Sequence, residues 1–236
     1  MCPSSESPGL QAKEPPLFKR PQVLWPLVTA GVIGLIVIIG YVAGVKVATI
    51  KKISTIDAEK KAQQFDPAAY VNSLWDSQIV PAILDRAVDI QTLIAALKTD
   101  QQAAIAQYGH SETGAYNFIA KGEGKVLAVD TSSSNGTLSV DLPPYDGNTD
   151  LTIQIGPVVI GFSVRDSTGI TTFNSVGNQI QYGQINRVLN ERAVQAALSG
   201  IDPKTLQGKT IQFYGTFTLD KIDHIVVIPV KMTVVG

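Results

Sequence analysis

Thiol and imidazole groups are scarce in this sequence. Cys2 is the only cysteine among 236 residues, and His110 and His224 are the only histidines. A single cysteine excludes an intrachain disulfide and a cluster of thiolate metal ligands. No spacing makes the two histidines metal ligands. The sequence therefore predicts no metal site and no cofactor.

A surplus of positive charge is missing as well. The formal net charge of the chain is −1, and residues 57–236 carry 13 basic and 18 acidic side chains, a balance of 13 − 18 = −5. Proteins that bind nucleic acid neutralise phosphates with a stripe of Lys and Arg. We therefore expect no nucleic-acid partner.

Catalytic motifs are equally absent. The chain has no G-x-S-x-G, no Walker loop and no H-E-x-x-H. GEGK at 122–125 lacks the third glycine of a dinucleotide loop, and DGNTD at 146–150 is followed by neither the glycine nor the glutamate of a calcium loop. These absences favour a non-enzymatic protein.

One long apolar run is present. Residues 25–45, WPLVTAGVIGLIVIIGYVAGV, contain no charge over 21 positions. As a helix they would extend about 30 Å, which is the thickness of the hydrocarbon core of a bilayer. Trp25 and Tyr41 lie near the two ends, where aromatic rings prefer the headgroup level. We predict a transmembrane anchor over residues 23–46.

The orientation of this anchor follows from the charges beside it. Basic residues precede and follow the run in equal number, namely Lys13, Lys19 and Arg20 before it and Lys46, Lys51 and Lys52 after it. A first helix with a short basic tail usually keeps that tail inside. We expect a single-pass signal anchor in the cell membrane with the C-terminal part on the periplasmic side. Cys2 precedes the run, so we expect no lipidated cysteine after it.

After the apolar run, the sequence pattern first indicates helices and then indicates strands. Asp66 and Pro67 begin a helical stretch that ends at Gly109, and alternating strand patterns start at Tyr116. Three strands, a helix near Gln181–Leu198 and two more strands follow. This order predicts an α+β fold with an OB-like five-stranded β-barrel. The predicted divisions are a disordered tail (1–22), the anchor (23–46), a connector (47–65), a helical subdomain (66–111) and the OB-like domain (112–236).

Several motifs resemble one bacterial family. FDPAAYVNSLWDSQIVPAI, YNFIAKGEGKV, QIGPVVIGFSVRD, FNSVGNQIQYGQINRVLN and LQGKTIQFYGTFTL are similar to predicted periplasmic lipoproteins grouped as domain of unknown function 2291. The resemblance extends from about residue 51 to the C-terminus. It implies an envelope-anchored protein with a helical part, an OB-like part and a genomic link to ABC-type sugar uptake. The family has no established activity, so the resemblance assigns no catalytic residue.

Arg165 and Asp166 are the first candidates for a binding site. They follow the apolar run GPVVIGFSV, and we expect them at the end of the third strand. The planar fork of an arginine suits a carboxylate or a pair of sugar hydroxyls. The alternative is that Arg165 binds a nearby acid or loop carbonyl and fixes the strand end.

The stretch FNSVGNQIQYG at 173–183 supplies the remaining candidates. Amides beside an arginine and an aromatic ring suit a small carbohydrate, and the chain offers them in Asn178, Gln179, Gln181 and Tyr182. The alternative is a helix start, in which Asn178 is the cap and Gln181 completes a capping box. The sequence leaves both interpretations open.

Three functional hypotheses are compatible with these observations. The first is a membrane-anchored extracytoplasmic accessory or ligand-binding module, linked to sugar uptake, whose partner is a transporter component or a small carbohydrate. The second is an envelope enzyme that acts on a glycan with carboxylates such as Asp166 or Glu191. The third is a structural partner within a membrane complex.

Overall fold

The computed structural model describes residues 38–41 and 65–235. The chain divides into two compact units, Met1–Glu59 and Lys60–Gly236. In the first unit, the described residues are 38–41, which are helical. In these described ranges, no helix has both the length and the apolar character needed to cross a bilayer. The predicted tail, residues 23–37 and 42–46 of the predicted anchor, and residues 47–64 of the connector lie outside the described residues.

The second unit opens with a helical layer whose start follows from its sequence. Helix α1 (Pro67–Leu74) begins after Asp66, whose carboxylate accepts hydrogen bonds from two backbone N–H groups of the first turn. A π-helical turn (Trp75–Ile79) joins it to α2 (Val80–Arg86). Pro81 has no N–H to donate to the preceding turn, and the wider turn lies directly before it.

A two-residue strand separates α2 from the next two helices. Helices α3 (Ile90–Thr99) and α4 (Gln101–Tyr108) follow strand β1 (Val88–Asp89). The sequence predicts one continuous helix from residue 82 to 97. That prediction is wrong, because Ala87 is extended and Asp89 caps α3 by accepting a hydrogen bond from Thr92.

The sheet has six strands, not the predicted five. After β1 come β2 (Asn117–Asp130), β3 (Thr137–Asp141), β4 (Leu151–Gln154), β5 (Thr210–Thr218) and β6 (Ile225–Val235). The pairing order is β1-β2-β3-β4-β6-β5, and β2 also pairs with β5. The predicted five-stranded barrel is therefore corrected to a six-stranded sheet, in which β1 is added parallel to β2 near the start of that strand. The α+β class is confirmed.

The two long strands, β2 and β6, each pair with two neighbouring strands along their length. The first half of β2 pairs with β5 and its last part pairs with β3, both antiparallel. Strand β6 pairs in parallel with β4 at its start and antiparallel with β5 along the rest. The ends of β3, β4, β5 and β6 are thereby brought close together, and this position is where the candidate site lies.

The segment between β4 and β5 differs from the predicted long third strand. Strand β4 ends at Gln154, and residues 155–162 form a loop. Three helices follow, namely α5 (Ser163–Asp166), α6 (Phe173–Val176) and α7 (Gln179–Ala197), and a 3₁₀ turn (Pro203–Thr205) precedes β5. Pro157 and the positive φ of +124° at Gly161 are incompatible with a continuing strand.

Two hydrophobic clusters hold this unit together. One lies inside the curved sheet and includes Phe118, Phe213 and Phe217, with α3 and α4 packed against it. The other lies between the sheet, α1 and α7, and includes Trp75 and Leu189. Trp75 is buried in this cluster and is therefore a core residue.

Candidate functional site

A cavity of about 450 Å³ opens where β3, β4, β5 and β6 end. Its lining comes from the loop before β3, the outward-facing side of β3 and β4, the start of α5 and the loop between β5 and β6. Ile160, Val226 and Ile228 supply apolar surface. We call this space the β-face cavity.

Some polar side chains of the lining are hydrogen-bonded to other groups of the protein. The Gln154 amide donates to the Ile160 carbonyl and accepts from the Ile160 N–H, both at 2.8 Å. The Ser163 hydroxyl lies 2.9 Å from that of Thr216, and the Thr218 hydroxyl donates to Asn117 at 2.7 Å. These contacts fix the shape of the cavity.

Other polar side chains of the lining remain available. Within the described residues, no side-chain hydrogen bond is made by Asn135, Thr137, Thr152, Asp220 or His224. They offer an amide, two hydroxyls, a carboxylate and an imidazole around one space. Such a set can donate to and accept from a ligand that carries several hydroxyl groups.

The loop 155–162 forms one wall and is held firmly. The Gly156 N–H donates to the Asn135 carbonyl at 2.6 Å, and a Cβ at Gly156 would lie 2.2 Å from that same carbonyl. The Asn186 and Asn190 amides both donate to the Gly161 carbonyl, at 3.0 and 2.9 Å. A glycine is required at 156 because no side chain fits between the two loops.

The structure brings three of the six sequence-predicted residues together, and none of these three lines the cavity. Arg165 and Asp166 lie in α5 and are buried, with Arg165 Nε and Nη2 donating to the two Asp166 oxygens at 2.5 and 2.9 Å. Tyr182 donates its hydroxyl to Asp166 at 3.0 Å. We call these three residues the buried ion-pair cluster. Their expected position at a strand end is corrected to a short helix, because β4 ends eleven residues earlier.

Contacts around this cluster account for its polar groups. The Thr113 hydroxyl donates a hydrogen bond to Asp166 Oδ2 at 3.0 Å. The Arg165 guanidinium lies 3.5 Å from the centre of the Tyr182 ring. Burial, followed by the hydrogen bond to Asp166, raises the pKa of Tyr182 well above its ordinary value. The arrangement fits the alternative in which Arg165 binds a nearby acid.

The other three predicted residues lie at the start of α7. The Asn178 side chain accepts a hydrogen bond from the Gln181 N–H at 2.8 Å, so Asn178 is the N-cap. Gln179 is exposed and Gln181 is buried. None of the six predicted residues lines the β-face cavity.

Sequence reasoning missed the cavity because its residues are scattered. Asn135, Thr152 and His224 belong to three separate segments, and no local motif joins them. One feature of the sequence did point to it. Thr137 and Thr152 lie in strands that alternate apolar and polar residues, and the two-residue period of a strand places both side chains on the outer face of the sheet.

A model of the family described as predicted periplasmic lipoprotein, domain of unknown function 2291, matches residues 35–233. The chain belongs to this family. Membership confirms the resemblance of the motifs and makes the protein, by that description, membrane-associated and extracytoplasmic. The comparison with curated proteins finds no match.

A solved structure extends the comparison to the fold of this member of the 2291 family. An OB-fold protein from Thermotoga maritima, known from its crystal structure, is 17% identical in sequence and has a TM-score of 0.57. The match covers 72% of this chain and 99% of the other. At this identity the likeness shows the fold alone.

The cavity lies over the outer side of β3 and β4. Asn135 is in the loop between β2 and β3, and Asp220 and His224 are in the loop between β5 and β6.

Proposed function

We propose that this protein is an extracytoplasmic binding module that takes a small polyhydroxylated ligand, such as a mono- or disaccharide, into the β-face cavity. The observation that carries the proposal is the convergence of Asn135, Thr137, Thr152, Asp220 and His224, all without side-chain partners in the described part of the chain, on one cavity. Ligand pockets combine apolar surface with a few convergent polar groups.

The chemistry of the lining favours a neutral, hydroxyl-rich ligand. The described lining contains no Lys or Arg and no Phe, Tyr or Trp. Single-stranded nucleic acids need a basic groove and stacking rings, so they fit poorly. Amide and hydroxyl groups hydrogen-bond sugar hydroxyls, and the aliphatic surface of Val226 and Ile228 suits the C–H face of a sugar ring.

The proposal includes the predicted setting of the module. Residues 25–45 act as a single-pass anchor, and the C-terminal unit faces the periplasm. There the module serves as an accessory to sugar uptake, presenting its ligand to a transporter component. The apolar run and the family description support this placement.

The glycan-enzyme alternative is less well supported. Asp166 belongs to the buried ion-pair cluster, and Glu191 lies 3.5 Å from Arg187 on the surface of α7. Among the described residues that line the cavity, Asp220 is the one carboxylate. A glycosidase of the common type uses two carboxyl groups across the scissile bond, so we retain binding as the proposed function.

The test measures thermal unfolding of the full-length protein in detergent against a panel of neutral sugars. A ligand at about 100 times its dissociation constant adds roughly 2.7 kcal/mol to the free energy of unfolding. We expect a saturable rise in midpoint that Asn135→Ala and Thr152→Val both reduce. Thr233→Val removes an exposed strand hydroxyl outside the cavity and should leave the rise unchanged. No rise with any sugar, or equal rises in all variants, would reject the proposal.

A further inference from the structure

One end of the β-face cavity differs from the rest of its lining. It is formed by Gln154, Ile160, Gly161, Ser163 and Ile228. The Gln154 amide is bonded to both backbone groups of Ile160, and a Cβ at Gly161 would lie 3.4 Å from Ile228 Cδ1. The loop 155–162 therefore meets β6 here, and each contributes an isoleucine to the lining. We call these five residues the aliphatic end.

The polar groups of the aliphatic end are already used within the protein. The Gln154 amide spends its oxygen and one N–H on the backbone of the loop. The Gly161 carbonyl accepts from two asparagine amides of α7, which uses both of its lone pairs. The Ser163 hydroxyl lies 2.9 Å from that of Thr216, which is the strand partner of Ile228. A ligand hydroxyl buried here would lose its bonds to water without an equal replacement.

The lining side chains that lack hydrogen-bond partners within residues 65–235 come from other elements. Asn135 precedes β3, Thr137 and Thr152 lie on β3 and β4, and Asp220 and His224 belong to the loop between β5 and β6. The cavity is therefore divided in its chemistry. Groups that can bind hydroxyls lie along β3, β4 and the β5–β6 loop, whereas the aliphatic end offers carbon surface.

We propose that the ligand of the β-face cavity is a deoxyhexose, a sugar in which a methyl group replaces the hydroxymethyl group of a hexose. This inference rests on the proposed function, because it specifies which sugar the binding module takes. The ring hydroxyls bind the unpartnered amide, hydroxyl, carboxylate and imidazole groups. The methyl group lies against Ile160 and Ile228. The matching hexose carries one more hydroxyl, which the aliphatic end cannot satisfy.

The size of the expected discrimination follows from the openness of this end. A closed hydrophobic pocket disfavours a ligand with one added hydroxyl by about a hundredfold. Ile160 is 63% exposed, so water reaches part of the aliphatic end and can bind some of the added hydroxyl. We therefore expect a preference of about tenfold for the deoxyhexose.

The experiment compares sugars that differ by this one hydroxyl. The pairs are D-fucose and D-galactose, D-quinovose and D-glucose, and L-rhamnose and L-mannose. Dissociation constants come from the thermal unfolding midpoint of the full-length protein at increasing sugar concentration. The detergent must have no sugar headgroup, because such a headgroup would compete for the cavity. In each pair that binds, we expect the deoxyhexose to bind about tenfold more tightly.

A variant and a matched control assign this preference to the aliphatic end. Ile160→Thr places a hydroxyl beside the position of the ligand methyl group, and we expect the preference to fall to within about twofold. Ile160 is largely exposed, so the hydrophobic clusters are not altered. Val158→Thr makes the same kind of change in the same loop, at a residue that does not line the cavity. This control should keep the full preference.

The outcomes separate this inference from the proposed function. A hexose that binds as tightly as its deoxy partner, binding confined to sugars outside the three pairs, or a preference that survives Ile160→Thr in folded protein would overturn the deoxyhexose assignment alone. Equal loss of the preference in Val158→Thr would overturn it as well. Absence of binding to every sugar would reject the binding module and this inference together.

Discussion

At the residue scale, burial changes what Arg165 and Asp166 can do. In sequence they look like a strand-end site for an anion or a sugar. In the structure Arg165 is 4% exposed and Asp166 is 0% exposed, and each is bound to the other and to Tyr182. Removing one partner of a buried ion pair leaves an uncompensated charge, so the cluster is sensitive to single substitutions.

Tyr182→Phe tests the cluster through its titration. Because the pKa of Tyr182 is raised in the folded state, the unfolded chain ionises first, above about pH 10. The contribution of this group to stability is therefore complete below that pH and declines as pH rises through the folded pKa. We expect ultraviolet titration of the folded protein to show one late tyrosine, absent in Tyr182→Phe. A late step that persists in the variant would contradict this assignment.

At the element scale, the loop 155–162 decides the shape of the site. It follows a short strand, is braced by the loop before β3, and is tied to α7 through the Gly161 carbonyl. Ile160 and Gly161 of this element line the cavity. Backbone geometry in the loop therefore affects the shape of the cavity.

Two glycines offer a matched pair of tests at this scale. Gly156→Ala would place a Cβ 2.2 Å from the Asn135 carbonyl, so the loops must separate, and we expect a loss of about 2 kcal/mol or more. Gly183 lies inside α7 with open space at its Cβ, and Gly183→Ala should stabilise the protein by about 0.5–1 kcal/mol. Chemical denaturation measures both. Equal effects of the two substitutions would show that the tight contact at Gly156 is absent.

At the scale of the whole molecule, the chain divides into an N-terminal quarter, Met1–Glu59, and the larger unit Lys60–Gly236. The second unit contains the sheet, the helices and both hydrophobic clusters. The uncharged run at 25–45 is the feature that would attach it to a membrane.

Membrane fractionation tests that attachment. We expect the full-length chain to stay with membranes after washing at high salt and high pH, because burial of about 20 apolar residues is unaffected by either treatment. Deletion of residues 25–45 should move the protein to the aqueous fraction while leaving its thermal unfolding unchanged. External protease should reach the C-terminal unit in spheroplasts. Recovery of the full-length chain in the aqueous fraction would exclude the anchor.

The sequence by itself determined the family, the α+β class, the caps at Asp66 and Asn178, and the long helix between β4 and β5. These features depend on local hydrogen bonds and on periodic apolar positions, both of which are written along a short stretch of chain. The tertiary structure alone decided the sixth strand, the end of β4 and the burial of Arg165. It also decided the cavity, because strand pairing brings Asn135, Thr152 and His224 together across nearly ninety residues, and side-chain neighbours at that separation leave no local pattern.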